Sequence, residues 1–309
     1  MIEGNAIGTI RSAPGLEDYL ERLELMLEQA VGSHPGVIGV AAAETLAAGG
    51  KRLRPVLVYL ATPTESRDLE RTVSAGAAVE LVHMATLVHD DLLDGAELRR
   101  GQPTTWAIHG ERAAMATGDH LFARAFALLA STGDARAVAV LANASLALAR
   151  GEALQRRQTF QPDTSVEDVI ARCSLKTGTL FEAACLLGAG TSALARFGLA
   201  LGIAFQIVDD ILDCAGEFDT TGKAPGLDLR DGTPTVPLIL AAREDAEVRR
   251  ALAGEDVPDA LDRVAATGAL TASRRLALQY VEPAWAALDG EPDRASLEEL
   301  ALAVVERER

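Results

Sequence analysis

Along nearly the whole chain, apolar residues recur three and four positions apart. Nowhere do they alternate in the two-residue rhythm of a half-buried strand bounded by turn residues. That spacing restricts the fold to helices packed on helices. In LEDYLERLELMLEQAV (16–31) the stripe is Leu16, Leu20, Leu23 and Leu27. RPVLVYLA (54–61) opens a helix with Pro55 in its first turn, where a missing N–H is tolerated. SAGAAVELVHMATLVHDDLLD (74–94) is apolar on several sides and is expected at the centre of the molecule. Further helices are expected over about 112–131, 135–155, 165–187, 191–214, 235–252, 256–266, 270–288 and 294–307. Breaks fall at GSHPG, GQPT, FQPDT and GLDLRDGTPTVP, and none is a linker long enough to divide the chain. Residues 1–309 are therefore expected to form a single all-α domain, a bundle of ten or more helices.

Composition narrows the function. With 309 residues, 49% of them hydrophobic, the chain can bury a sizeable core. A formal net charge of −16 excludes bulk nucleic-acid binding and disfavours anionic membrane surfaces. An anionic small substrate could bind only through local cations or metal ions. The start, MIEGNAIGTIRSAPG, lacks the pattern of a signal peptide. The apolar runs AVAVLANASLALA and FGLALGIAFQIV are shorter than the ~20 residues a membrane span needs. Cys173, Cys185 and Cys214 form no CxxC pair and read as buried free thiols in a reducing compartment. A cytoplasmic protein is expected.

Asp90, Asp91 and Asp94 form a D-D-x-x-D set at the end of the long apolar helix. Positions i and i+4 share a helix face, so Asp90 and Asp94 project together with Asp91 beside them. Carboxylates this close repel unless cations intervene. FQIVDDILD (205–213) repeats the spacing with Asp209, Asp210 and Asp213. One such triplet is a weak signal, because a solvated helix end would read the same; a second copy makes the pattern specific. Oxygen-only donors suit hard ions, and Mg2+ in particular takes one or two carboxylates and leaves room for water and phosphate.

Basic residues accompany the acids. GGKRLRP (49–55) places Lys51, Arg52 and Arg54 at a glycine-loosened helix start, where backbone N–H groups favour an anion. Arg99 and Arg100 follow the first acid set, and arginine matches phosphate oxygens in a bidentate way. Of 29 Lys+Arg, only Lys51, Lys176 and Lys223 are lysine, and each lies in one of these segments or their neighbours.

GGKRLRP, HDDLLDGAELRRG, LKTGTLF (175–181) and FQIVDDILD followed by TGKAPGLDLRDGTPTVP occur in that order from about 49 to 237. In this the chain resembles the polyprenyl synthetase family, the trans-isoprenyl diphosphate synthases. The resemblance implies an all-α fold around a deep central cavity, usually as a homodimer. It implies two or three Mg2+ ions on Asp90, Asp94 and Asp209, with Asp91, Asp210 and Asp213 completing the sets. It matches Lys51, Arg54, His83 and Arg100 to residues that hold isopentenyl diphosphate. Arg99, Lys176, Thr177, Gln206 and Lys223 match those around the allylic diphosphate. Asp90, Asp94, Arg99, Lys176 and Asp209 would carry the chemistry. In GTPTVP, many relatives carry lysine in place of Thr233, so one cation is absent or supplied by another residue such as Arg230. His89 is read as a buried, hydrogen-bonded core histidine.

The implied reaction ionises an allylic diphosphate, adds isopentenyl diphosphate to the allylic cation and loses a proton, for a product five carbons longer. Product length would be set below the first acid set by Val82, Ala85 and Thr86, where small side chains leave room for twenty carbons or more. Phe122 or Phe126 would form a floor. The other readings weighed are a terpene cyclase, which lacks the Lys51/Arg54 site, and a partner subunit of a heteromeric synthase, which loses the acid sets. No nucleic-acid partner and no membrane span are expected, apart from transient membrane contact on product release.

Overall fold

The first helix, α1 (Leu16–Val31), buries Leu16, Tyr19, Leu23 and Leu27. Tyr19 takes the fully buried place expected of Leu20, which is half-buried. Each such side chain contributes about 1.5–3 kcal/mol by leaving water. The computed structural model describes residues 13–99, 101–188, 190–215, 226–291 and 293–307. Next come α2 (Val37–Ala47) and α3 (Leu53–Leu60), with Pro55 in the first turn of α3. Helix α2 had no counterpart among the expected helices. The long α4 (Leu69–Asp94) begins five residues earlier than the apolar pattern suggested. Asp68 caps it by accepting from the backbone N–H of Glu70 and Arg71. Gly95, in the left-handed region at φ 63°, ends it directly after Asp94.

A short ladder follows, β1 (Leu98–Arg99) antiparallel to β2 (Gln102–Pro103), although no strand was expected. It is too short to show an alternating pattern. Then come α5 (Thr105–His109), α6 (Glu111–Ser131) and α7 (Ala135–Gln158). The stretch expected as one helix over 165–187 is three pieces. These are α8 (Val166–Cys173), a π-helical turn (Ser174–Gly178) and α9 (Thr179–Leu187). Helix α10 (Ser192–Ala215) carries the second acid set. The remainder is α11 (Leu227–Arg230), α12 (Val236–Glu244), α13 (Ala246–Leu252), α14 (Ala260–Ala266), α15 (Ala269–Ala286) and α16 (Arg294–Val305). Asp245 splits the helix expected over 235–252, leaving α12 and capping α13 through the N–H of Glu247 and Val248.

Helix α4 packs most extensively on α6, and α10 lies between α9 and α15. One continuous buried apolar cluster runs through these helices. Close approaches are made at glycines. A Cβ at Gly202 would stand 2.7 Å from Gly178, and one at Gly151 would stand 2.7 Å from the backbone N of Lys176. Cys173, Cys185 and Cys214 are free and buried, as expected. The apolar run of α7 lies in a 24-residue helix with mean hydropathy 1.3, long and apolar enough to cross a membrane by length and composition. Only 28% of that window is buried.

Candidate active site

Helices α4 and α10 bring the two acid sets to the π-helical turn, and two adjacent residues of that turn reach one set each. Lys176 Nζ lies 3.6 Å from Asp90 Oδ1 and donates to Glu152 of α7 at 2.6 Å. Thr177 Oγ1 donates to Gln206 Oε1 at 2.8 Å, and Gln206 Nε2 donates to Asp210 Oδ1 at 2.8 Å. A π turn carries one extra residue per turn and is found disproportionately at functional sites. The lack of a Cβ at Gly151 lets α7 approach this turn.

In the first set, burial pushes the Asp90 carboxyl above the usual range, with the Lys176 charge opposing it. Burial raises Asp94 in the same way, and the charge of Asp231, on the loop after the second set, adds to the rise. Asp94 is exposed and pairs with Arg156 of α7 at 3.0 Å. Asp91 differs from its neighbours. It is buried, and both its oxygens accept from Arg99 Nε at 2.9 Å, with Arg99 Nη2 2.7 Å from Oδ1. The pair ties the ladder to the helix end, and it occupies a carboxylate expected for metal and an arginine expected for diphosphate.

The second set also divides its labour. Asp209 is exposed and pairs with Arg307 at 2.9 Å, whose guanidinium lies 4.5 Å from the centre of the Phe205 ring. Asp210 is buried, and its Oδ2 has no partner among the described residues. Burial pushes its carboxyl up to about 7. Asp213 accepts from the N–H groups of Leu227 and Asp228 at 3.2 and 3.1 Å, pinning the returning loop. That loop brings in Asp228, whose carboxyl is raised well above the usual range by burial and by the charges of Asp210 and Asp213. Gln206, Asp209, Asp210 and Asp213, at i, i+3, i+4 and i+7 of one helix, thus stand in four different environments.

Arg54 joins the two sides. It is buried, stacked 4.6 Å from the centre of the Phe181 ring. Burial brings its pKa down to about 10, against the charges of Glu80 on α4 and Asp209 on α10. Lys51 is exposed and His83 half-buried; each has partners within the protein. Arg100 and Lys223 lie outside the described residues. Arg230 is exposed and paired with Asp231 at 3.2 Å. His89 is hydrogen-bonded to the Met115 carbonyl at 3.3 Å but half-exposed, so it is not a core histidine. It packs so closely over Gly118 that a Cβ there would stand 2.1 Å from Nε2.

The stripe of α4 that meets open space runs through His83, Thr86, Leu87 and Asp90. Val82 and Ala85, expected to line the chain-length pocket, have no accessible surface and face packed side chains. Of the three expected positions, Thr86 alone is on the open stripe.

Glu152, Gln155 and Arg156 were missed in the sequence. Gln155 Oε1 accepts from Lys176 at 3.3 Å. Burial would raise the Glu152 carboxyl, yet the Lys176 charge outweighs it and holds the group below its usual range. The signal was a polar i, i+3, i+4 triplet in GEALQR that interrupts an apolar helix. Asp228 was signalled only by a further acid in GLDLRD, and Arg307 by nothing beyond its charge.

Among the described residues, no three acidic, His or Cys side chains converge closely enough to enclose an ion by themselves. The donors nonetheless suit a hard divalent ion that completes its shell with water and phosphate oxygens. They are carboxylates, and one of them, Asp210, has a buried oxygen without a partner among the described residues.

The description of the polyprenyl synthetase family matches residues 37–264. Heptaprenyl diphosphate synthase component 2 of Geobacillus stearothermophilus is 40% identical over 95% of this chain and 97% of that one. Octaprenyl diphosphate synthase of Escherichia coli is 34% identical over 84% of this chain and 87% of its own. A polyprenyl synthase of Caulobacter crescentus, crystallised with calcium and isoprenyl diphosphate, superposes with a TM-score of 0.89 at 37% identity. It covers 95% of this chain and 96% of its own.

Proposed function

Because the chain belongs to the polyprenyl synthetase family, we propose that it condenses isopentenyl diphosphate head to tail with an allylic prenyl diphosphate, giving a trans-polyprenyl diphosphate of twenty carbons or more. The observation that carries this reading is the π-helical turn, whose Lys176 and Thr177 tie the Asp90 set to the Gln206–Asp210 set. Acids of both sets and the cations Lys176, Arg54 and Arg156 then stand around one site.

Asp90, Asp94 and Asp209 would hold Mg2+, with Asp210 and Asp228 behind Asp209. The bound ions supply positive charge to the leaving diphosphate as it develops. Asp91 and Asp213 act one step back, by fixing Arg99 and the loop that carries Asp228. The calcium in the Caulobacter relative fits a hard-ion site with oxygen donors. Lys176 neutralises the allylic diphosphate while Glu152 and Gln155 fix its ammonium. Lys51, Arg54, His83 and Arg100 hold isopentenyl diphosphate, so that both substrates meet in one orientation. Lys223 would add a further cation on the allylic side. Arg156, already at Asp94, is better placed than Arg230 to serve where relatives carry lysine at Thr233.

We read residues 1–309 as one domain that works as a cytoplasmic homodimer. The little-buried apolar face of α7 supports a second copy there: Leu146 is 52% exposed on it. One relative is named as component 2 of its synthase, yet both acid sets are retained here, which favours a chain active by itself. Purified chain incubated with labelled isopentenyl diphosphate, Mg2+ and allylic primers of several lengths should elongate them. A chain that extends none of them refutes the reading, and particle mass in solution tests the dimer.

A further inference from the structure

Of the three cations in GGKRLRP, one is turned to a different use. Arg52 is the residue before α3 and sits in the left-handed region at φ 51°, uncommon for a side chain of this size. Its guanidinium is 11% exposed and carries three charged hydrogen bonds to carboxylates. Nε and Nη2 donate to Glu24 of α1 at 2.7 and 3.1 Å, and Nη1 donates to Glu80 of α4 at 3.0 Å. Glu24 is half-exposed, whereas Glu80 is 3% exposed. The charge of the same Glu80 also acts on buried Arg54, opposing the fall that burial causes. One buried carboxylate thus pairs with Arg52 and lends its charge to Arg54, the two arginines that flank Leu53.

Backbone strain of this kind persists only where the surroundings over-determine it. Here the surroundings are the two carboxylates on one side and, three residues on, the Tyr19 hydroxyl donating to the Pro55 carbonyl at 2.9 Å. The loop is held from both α1 and α4.

We propose that Glu80 is a positioning residue for the isopentenyl diphosphate pocket. By holding Arg52 against α1 and α4 it fixes the left-handed turn that presents Lys51 and Arg54. This rests on the reading of Lys51 and Arg54 as the isopentenyl diphosphate cations. It concerns the shape of that half of the site only, since Lys176 and Glu152 are anchored through α7 and the π-helical turn.

The test is steady-state kinetics of Glu80→Gln and Arg52→Met with each substrate varied in turn. The KM for isopentenyl diphosphate should rise at least tenfold in each. The allylic KM should stay within twofold of wild type, and kcat within threefold. The double variant should be no worse than the worse single one, because both break one device. Equal KM for isopentenyl diphosphate in variant and wild type overturns the proposal. So does a parallel rise in both KM values, which marks a general loss of structure. If Glu80→Gln fails to fold, Arg52→Met alone decides by the same criteria. Wild-type protein that elongates no primer refutes the functional reading instead, so the two failures are distinguishable.

Discussion

Replacing Gly151 by alanine is expected to cripple turnover while leaving the fold standing. A Cβ at this position would lie 2.7 Å from the backbone N of Lys176 and 2.9 Å from its Cα and Cβ. Restoring an ordinary contact requires the π-helical turn and α7 to separate by roughly 0.8 Å or more, since non-bonded heavy atoms settle at about 3.5–4.0 Å. That displacement falls on the residue whose Nζ is held 2.6 Å from Glu152 and 3.6 Å from Asp90. A misplacement approaching 1 Å can lower a rate about 100-fold. Alanine gains about 1 kcal/mol of helix propensity, and overpacking costs about 1–3 kcal/mol. The melting temperature should therefore fall by only a few degrees. The assay is kcat/KM for the allylic primer at saturating isopentenyl diphosphate, with thermal unfolding alongside. A drop of about 10- to 100-fold is expected. A variant with kcat/KM within twofold of wild type would show that Lys176 need not be held where it is.

Thr86→Phe should shorten the main product, read by chromatography of the hydrolysed prenols, whereas Ala85→Phe should mainly destabilise, because Ala85 has no accessible surface. Arg99→Met should cost about 3 kcal/mol or more by stranding buried Asp91, and adding Asp91→Asn should recover much of that loss in a denaturant titration. Mg2+ at about a hundred times its dissociation constant should stabilise the protein by about 2.7 kcal/mol, and chelation should reverse the shift. Burial raises the Asp90 and Asp94 carboxyls, so protons compete with the ion and the stabilisation should shrink as pH falls.

The helical class and both acid sets were legible because each rests on local spacing. Leu16, Leu23 and Leu27 repeat with the helix period, and Asp90 and Asp94 are one turn apart whatever surrounds them. What was not legible depends on partners distant in sequence. Nothing within HDDLLD tells that Asp91 turns to Arg99 while Asp90 faces Lys176. Of the adjacent Ala85 and Thr86, both expected at the chain-length pocket, only Thr86 keeps accessible surface, a difference that packing rather than local spacing decides. The residues 165–187 look like one helix because the π turn is continuous helical backbone, with neither Gly–Pro punctuation nor a cap to mark it. Glu152 and Arg156 share a face by their spacing, but only the distant Lys176 and Asp94 give that face its use.

The turn at Ser174–Gly178 also sets a phase. One surplus residue is wound into it, so everything downstream in α9 is rotated by about a third of a circle from where an uninterrupted helix would leave it. Lys176 and Thr177 are tied to the site by their own contacts, and the length of the stretch is fixed as firmly as they are. A single deletion would let the spiral relax and swing Phe181 away from Arg54, so related chains that share this site should keep the number of residues here.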